Sequence, residues 1–199
     1  MSGIDGLTLD VTDTAEAEAF CKALGVDDIV SVRAGDEPST GFRGYTLSLI
    51  VSQPGNADAF IDAALAAGAT VLKPARKSFW GYGGVVQAPD RAIWKFACSS
   101  KKDAAPVSQT FDDLALLLGV EDVKATKQFY VDRGLSVAKS FGSKYVEFEN
   151  PSSAVKLALY GRKALAKDAG VSPEGSGSHR ISINGDLGTF TDPDWFIWT

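Results

Sequence analysis

The sequence predicts an α+β protein built from duplicated units, each made of a strand, a helix and further strands. The main observation is internal repetition. In the first pair of repeats an apolar strand ends in Val, Asp follows two residues later, and Phe follows seven residues after the Asp. A second pair opens with Lys-Ser-Phe, and a third reads Pro-Asp-x-x-Ile-Trp. The paired segments are 7–20 with 116–129, 77–89 with 139–151, and 89–94 with 193–198.

The first unit begins with a strand and a helix. Residues 7–11 alternate apolar and polar side chains, a pattern typical of a half-buried strand. Asp13 is the predicted N-cap of the following helix, and Glu16 completes a capping box. The helix is predicted to end at Gly25.

A complete unit follows between residues 45 and 98. A strand is predicted at 45–51. The helix after it is predicted to be capped by Asn56, because apolar residues then recur at helical spacing until Gly68. The strands that complete this unit are predicted at 70–72, 83–87 and 93–98.

The second half of the chain repeats this order after a polar segment. Residues 99–109 are polar and contain Pro106, so 101–109 is the predicted linker between a domain at 1–100 and a domain at 110–199. The second domain is predicted to have a strand, a helix and three strands, at 114–120, 123–133, 135–140, 144–148 and 154–160.

The end of the chain departs from the repeat. Residues 161–170 have a helix-forming composition, and 171–178 form a Gly/Ser-rich loop. Two last strands, in HRISING and TFTDPDWFIWT, follow with no helix between them. The chain is therefore predicted to end in an incomplete unit.

Composition indicates a folded protein with an acidic surface. The chain has 199 residues, of which 45% are hydrophobic, and a formal net charge of −5. Lys and Arg are scattered, which argues against a nucleic-acid partner. No apolar run approaches the roughly 18 residues of a membrane span, and no secretory pattern is present, so no membrane partner and a cytoplasmic location are expected. Cys21 and Cys98 lack a C-x-x-C spacing and are expected to be buried.

Five segments carry a resemblance to a known family. They are Val-Thr-Asp…Phe at 11–20, Val-Glu-Asp…Phe-Tyr at 120–130, Ala-Gly-Ala-Thr-Val with Lys-Pro at 67–74, Phe-Trp-Gly-Tyr-Gly-Gly at 79–84, and Asp-Pro-Asp…Trp at 192–198. In this order they resemble the vicinal oxygen chelate superfamily, which includes glyoxalase I, bleomycin-resistance proteins and extradiol dioxygenases. The segment 160–177 also looks like the loop that joins paired modules in glyoxalase-like members.

The resemblance implies βαβββ modules that pair into cupped mixed sheets around a cleft. Residues 1–100 would then hold a shortened module and a complete one, and residues 110–199 a complete module and a stub. The two incomplete pieces either complete each other or belong to separate domains, and the sequence leaves both arrangements open. The resemblance also leaves room for a homodimer.

The resemblance further implies a position for a divalent metal. Metalloenzymes of the family hold the ion with His from first strands and Glu from last strands, leaving positions open for two substrate oxygens. The carboxylate would directly follow the Trp of Pro-Asp-x-x-Ile-Trp, where this chain has Lys95 and Thr199. The first-strand positions, 6–7 and 115–116, have no ligand either, and the chain has one histidine. We therefore expect no metal or other cofactor.

One residue is a candidate for catalysis and two are aromatic candidates for ligand binding. His179 follows a Gly-rich loop, where a neutral imidazole could act as a base; a surface or capping histidine is the alternative. Trp80 and Tyr82 lie among glycines, a pattern that lines clefts, although core positions at a hairpin explain it equally well.

Charged and polar candidates for ligand binding lie on other predicted strands. Arg43 and Lys95 could meet an anionic or polar ligand, with solvent exposure as the default. Tyr145 and Glu147 share one face of a strand. An acid or base role for Glu147 would require burial and a raised pKa, and a solvated strand face is the alternative.

Three functions follow from these expectations. The first is a glyoxalase/bleomycin-resistance-like protein that binds a small organic molecule in an aromatic-lined cleft without the usual metal. The second is a lyase, isomerase or dioxygenase of the same superfamily with a nonstandard site. The third is an interaction module that retains only the fold, because one scaffold can host many activities.

Overall fold

The computed structural model describes residues 3–199 and shows a mixed α+β architecture. Its helices are α1 (Thr14–Ala23), α2 (Pro54–Ala66), α3 (Val123–Val131) and α4 (Arg162–Ala169). Its strands are β1 (Ile4–Val11), β2 (Val30–Ala34), β3 (Ser39–Gly41), β4 (Tyr45–Ile50), β5 (Thr70–Ser78), β6 (Gly81–Gln87), β7 (Ile93–Cys98), β8 (Asp113–Val120), β9 (Val137–Ser140), β10 (Tyr145–Phe148), β11 (Val155–Gly161), β12 (Gly175–Gly177), β13 (Ile181–Gly185), β14 (Phe190–Thr191) and β15 (Ile197–Trp198).

Two complete βαβββ modules share the largest sheet. The first module runs from β4 to β7 with α2, the second from β8 to β11 with α3, and the sheet order is β5-β6-β7-β4-β8-β11-β10-β9. The modules meet where β4 and β8 pair antiparallel, from Tyr45 opposite Leu118 to Ile50 opposite Asp113. The predicted fold class, paired βαβββ modules in cupped mixed sheets, is confirmed.

The two incomplete pieces at the chain ends complete each other. β1 pairs antiparallel with β13 and parallel with β2, which gives a second sheet in the order β14-β15-β13-β1-β2. Of the two arrangements left open by the sequence, the first is therefore the one adopted. Segments 1–100 and 110–199 both supply strands to both of these sheets, and their independence as folding units stays a prediction.

The starts of α1 and α3 agree with the sequence prediction, and the start of α2 differs from it. The Asp13 carboxylate accepts a hydrogen bond from the Glu16 N–H at 2.9 Å, as the capping pattern predicts. The prediction that Asn56 caps α2 is wrong, because α2 starts earlier, at Pro54. Proline suits the first turn of a helix, since its φ is already helical and its missing N–H needs no partner.

The predicted Gly/Ser loop at 171–178 contains a short strand. β12 pairs antiparallel with β3 in a separate two-stranded ladder. The backbones approach so closely that a Cβ on Gly175 would collide with the Phe42 carbonyl oxygen. Glycine therefore marks a close backbone approach here and not a flexible connection.

The repeated Pro-Asp-x-x-Ile-Trp segments form the same turn twice. In each copy the N–H of residue i donates to the carbonyl of i+4, and the N–H of i+3 donates to the carbonyl of i, where i is Ala88 or Asp192. Arg91 and Trp195 occupy the left-handed region in these turns, with φ of 74° and 70°. The repeat thus encodes a turn that leads into the final strand of each unit.

The two faces of the eight-stranded sheet contact different helices. Alternate side chains such as Leu47 and Phe96 join the main core with α2 and α3. The opposite side chains, which include Ile93, form a second cluster with Leu165 and Ala169 of α4. We call this second face the inner face. Within residues 3–199, no helix is both long and apolar enough to cross a membrane.

Candidate functional site

A cleft of about 1240 Å³ lies on the inner face beside α4. Four aromatic side chains line it: Trp80 from the β5–β6 hairpin, Phe141 from the β9–β10 hairpin, Tyr145 from β10 and Tyr160 from β11. The two hairpins are the Lys-Ser-Phe repeats of the two modules. Each hairpin therefore brings an aromatic residue to the cleft, although the repeat counterpart of Phe141 is Phe79 and not Trp80.

The aromatic side chains at one end of the cleft contact one another. The ring centroids of Phe141 and Tyr145 are 6.0 Å apart, and those of Tyr145 and Tyr160 are 5.0 Å apart in an edge-to-face arrangement. The Tyr145 hydroxyl donates to a carboxylate oxygen of Glu147 at 2.9 Å. Burial is the main cause of a raised pKa of Tyr145, and the hydrogen bond to Glu147 is the second cause. The hydroxyl therefore stays protonated and serves as a donor.

Trp80 and Phe141 present most of their surface to solvent. Their exposed fractions are 84% and 64%, against complete burial for Trp94 and Trp198, the last residues of the two Pro-Asp-x-x-Ile-Trp segments. Exposed aromatic rings at the mouth of a cleft are available for stacking on a ligand.

An ion pair crosses the cleft between the sheet and α4. The Lys95 ammonium lies 2.7 Å from a carboxylate oxygen of Asp168, and both side chains are partly exposed. Both residues also line a smaller adjoining cavity of about 190 Å³, together with Trp80. Lys95 therefore stands on the sheet between two solvent-accessible spaces.

Two of the predicted ligand-binding residues do not line the main cleft, although Tyr82 lines the smaller adjoining cavity. The Tyr82 hydroxyl donates to Asp58 on α2 at 2.7 Å, which raises the pKa of Tyr82 to about 12 and directs its hydroxyl away from the inner face. Arg43 lines a separate cavity of about 240 Å³ and donates to the Asp90 carbonyl at 2.9 Å. The structure thus brings Trp80, Lys95 and Tyr145 together in the cleft, with Glu147 behind Tyr145.

His179 joins two backbone segments. Its Nδ1 lies 2.5 Å from the Arg43 carbonyl oxygen, and its Nε2 lies 2.9 Å from the Asp194 carbonyl oxygen. The ring stacks on Phe196 with centroids 3.9 Å apart. Since both ring nitrogens face backbone acceptors, neither is free to take a proton from a ligand, and the geometry favours the capping alternative.

The metal implied by the fold family does not fit the residues present. Strand register places Lys95, Ser48, Ala115 and Lys156 in one row across β7, β4, β8 and β11. Two of these positions carry ammonium groups and none carries an imidazole or carboxylate. Among residues 3–199 there is no group of three or more His, Cys, Asp or Glu side chains that could hold an ion.

Several cleft residues escaped prediction. Phe141 belongs to the second Lys-Ser-Phe repeat, so its match to the first repeat was the available signal. Tyr160, Lys163 and Asp168 line the cleft because α4 folds back onto the inner face. No local pattern indicates which sheet a short amphipathic helix will cover, so these residues had no comparable signal.

Comparison with known sequences finds no match, either to a protein-family model or to a curated protein. Comparison with solved structures does find matches. The crystal structure of glyoxalase I from Zea mays aligns with a TM-score of 0.63 at 12% identity, covering 100% of this chain and 91% of that one. A proposed dioxygenase from Bacillus subtilis aligns with a TM-score of 0.54 at 14% identity, covering 92% of this chain and 69% of that one.

At these identities the likeness concerns the fold. The chain has the fold of the vicinal oxygen chelate superfamily, as the resemblance in the sequence predicted.

Proposed function

We propose that this protein binds a small organic molecule in the cleft of the inner face, without a divalent metal. The observation that carries the proposal is the cleft itself: about 1240 Å³, with aromatic side chains supplied by both modules. Its volume exceeds that of many ligand pockets, which span roughly 300–1,000 Å³.

Aromatic stacking is the main source of affinity in this proposal. Trp80 and Phe141 are largely exposed without a ligand, so a planar molecule placed over them removes apolar surface from water. The Tyr145 and Tyr160 rings continue this surface toward the sheet. Because these groups already surround the cleft, binding needs little rearrangement of the protein.

Sequestration of the ligand is the role that fits such a site, as resistance-type members of this superfamily act by binding alone. A cytoplasmic location and a homodimer belong to the same proposal and stay predictions. The alternative of a lyase, isomerase or dioxygenase stays a prediction as well, and the position of His179 gives it no free base.

A fluorescence titration with phenylnaphthylamine, a neutral aromatic probe, tests the proposal. We expect saturable binding that weakens by about tenfold or more in the double variant Trp80→Ala/Phe141→Ala, since each aromatic contact contributes about 1 kcal/mol. Trp195→Ala is the matched control, because Trp195 is 77% exposed but lies outside the cleft. Equal loss in the control would overturn the proposal.

Metal analysis tests the other half of the proposal. Protein purified without a histidine tag should contain no stoichiometric Zn, Ni, Fe or Mn. One equivalent of any of these ions per chain, retained through dialysis, would contradict a metal-free site.

A further inference from the structure

The row of residues across the centre of the inner face, Lys95, Ser48, Ala115 and Lys156, contains two lysines. Lys95 lies beside Ser48, and Lys156 lies beside Ala115, so the two lysines occupy equivalent places in the two modules. Side chains directly opposite one another in a ladder project from the same face of a sheet. The centre of this face therefore carries positive charges from both modules.

The two lysines differ in what surrounds them. Lys156 pairs at 2.7 Å with Asp113 of the neighbouring strand and lines none of the cavities described above. Lys95 pairs at 2.7 Å with Asp168, which comes from α4, and lines both adjoining cavities. Of these two lysines, only Lys95 can therefore meet a molecule in the cleft, whose lining also includes Lys144, Arg162 and Lys163.

Asp168 is placed against the electrostatic preference of its own helix. It stands in the last turn of α4, where the helix dipole is negative and a carboxylate is unfavourable. The Lys73 ammonium binds the carbonyl oxygens of Lys167 and Asp168 at that end. The Asp168 carboxylate is thus held at Lys95 by the ion pair, in a position that a ligand anion could take over.

We propose that the cleft selects aromatic molecules that carry an anionic group, and that Lys95 binds this group in exchange for Asp168. The inference rests on the proposed function, since it assigns the ligand class of the same cleft. Ring stacking on Trp80 and Phe141 then supplies affinity, and Lys95 supplies selectivity for charge. The exchange costs little free energy, because Asp168 is partly exposed and regains hydration when it is released.

The test compares two probes with the same ring system. Anilinonaphthalene sulfonate carries a negative charge, and phenylnaphthylamine lacks it. We expect Lys95→Met to weaken sulfonate binding about five-fold, the scale of one partly exposed ion pair, and to leave phenylnaphthylamine binding unchanged. Asp168→Asn should strengthen sulfonate binding by a similar factor, because the ammonium no longer has a competing partner.

Lys156→Met is the matched control, since it removes the equivalent positive charge of the other module. Equal effects of Lys95→Met and Lys156→Met would show a general charge effect and overturn the inference. Weaker sulfonate binding in Asp168→Asn would overturn the exchange. Phenylnaphthylamine titration shows in every variant that the cleft is intact, so loss of selectivity alone leaves the proposed function standing.

Discussion

At the scale of single residues, His179 holds the start of β4 to the turn before β15. Its two ring nitrogens face the backbone carbonyl oxygens of Arg43 and Asp194, from segments that are far apart in the sequence. We expect His179→Ala to lower the free energy of unfolding by about 2 kcal/mol, from the lost N–H hydrogen bond and the lost stacking on Phe196, each about 1 kcal/mol. Urea denaturation measures this change.

The same variant separates support of the fold from chemistry. Because no ring nitrogen faces the cleft, we expect His179→Ala to bind phenylnaphthylamine as the parent protein does. Loss of binding or of a measurable turnover, with the unfolding transition unchanged, would instead favour a catalytic histidine.

Trp195 shows how the repeated turn constrains its third residue. Placing an L-residue in the left-handed region costs about 1–2 kcal/mol of conformational free energy. Trp195 lies in this region, although tryptophan is not one of the residues that adopt it readily. We expect Trp195→Gly to be about 1 kcal/mol more stable than Trp195→Ala by thermal or urea unfolding. At ordinary positions the order is reversed, with Gly less stable by about 0.5–1 kcal/mol.

The equivalent residue in the first copy of the turn is an internal comparison. Arg91 has nearly the same φ, so the Gly variant there should also exceed the Ala variant in stability. If Ala is the more stable residue at both positions, the left-handed turn is not the feature that the repeat encodes.

Asp90 gives a pH dependence to stability. One of its carboxylate oxygens has no hydrogen-bond partner among the described residues, and burial raises the pKa of the carboxyl. The folded protein therefore binds this proton more tightly than the unfolded chain, whose Asp has a pKa of about 3.9. The resulting stability is present below that value and is lost as pH rises through the folded pKa.

Asp90→Asn removes this titration. The difference in unfolding free energy between the parent protein and Asp90→Asn should shift against the parent as pH rises from about 4 to about 7. Urea denaturation at several pH values measures it. A difference that is constant over the whole range would contradict a raised pKa for Asp90.

At the scale of elements, the predicted linker is part of the structure around α2. The N-cap residue Gln53 makes no side-chain capping hydrogen bond to α2; the Asp103 carboxylate of the linker accepts instead from the Gly55 N–H at 2.7 Å. The buried Gln53 side chain accepts hydrogen bonds from the N–H groups of Ala104 and Ala105 at 2.9 Å. It also donates to the Ala105 carbonyl oxygen at 2.9 Å. The start of α2 therefore fixes the path of the linker.

We expect Gln53→Ala to lower the free energy of unfolding by about 2 kcal/mol and to speed proteolysis within 101–109, because two N–H groups lose their acceptor. Urea denaturation and limited proteolysis check the two parts. Gln87→Ala is the control, since that partly exposed side chain makes one long hydrogen bond, and its effect should stay within about 0.5 kcal/mol.

Elements whose start or repetition is marked by neighbouring residues could be predicted from the sequence. Asp13 starts α1 as its capping pattern predicts, and the repeats identify both complete modules. The start of α2 was misplaced because Asn56 has the side chain of a cap, although its oxygen instead accepts from the Ser108 N–H. The position of α4 depends on contacts with distant strands. The helix-forming composition of 161–170 predicts a helix but not where it packs.

At the scale of the whole molecule, the chain ends and the two modules interlock. The largest sheet is continuous through the β4–β8 ladder, and the second sheet through the β1–β13 ladder. The sequence repeats aligned β1 with β8, since both open a unit, but the sheet partners of β8 are β4 and β11. Such pairing depends on contacts far apart in the sequence, so local similarity did not predict it.

This arrangement predicts the behaviour of two fragments. Fragments 1–105 and 106–199 should each lack a cooperative unfolding transition, because each exposes unpaired edges of both sheets. Mixed together, they should recover the near-ultraviolet circular dichroism of the intact chain. A cooperative transition in either fragment alone would instead support independent domains at 1–100 and 110–199.

Helix α4 makes no ladder hydrogen bonds, yet it forms one wall of the cleft. One wall of the cleft is therefore encoded outside the strands that form the scaffold. We expect changes at Lys163, Ala164 and Asp168, which line the cleft and are not buried, to alter the size and charge of the molecule accommodated while every strand keeps its register. A library of variants confined to this helix is a route to new ligand specificities on an unaltered sheet.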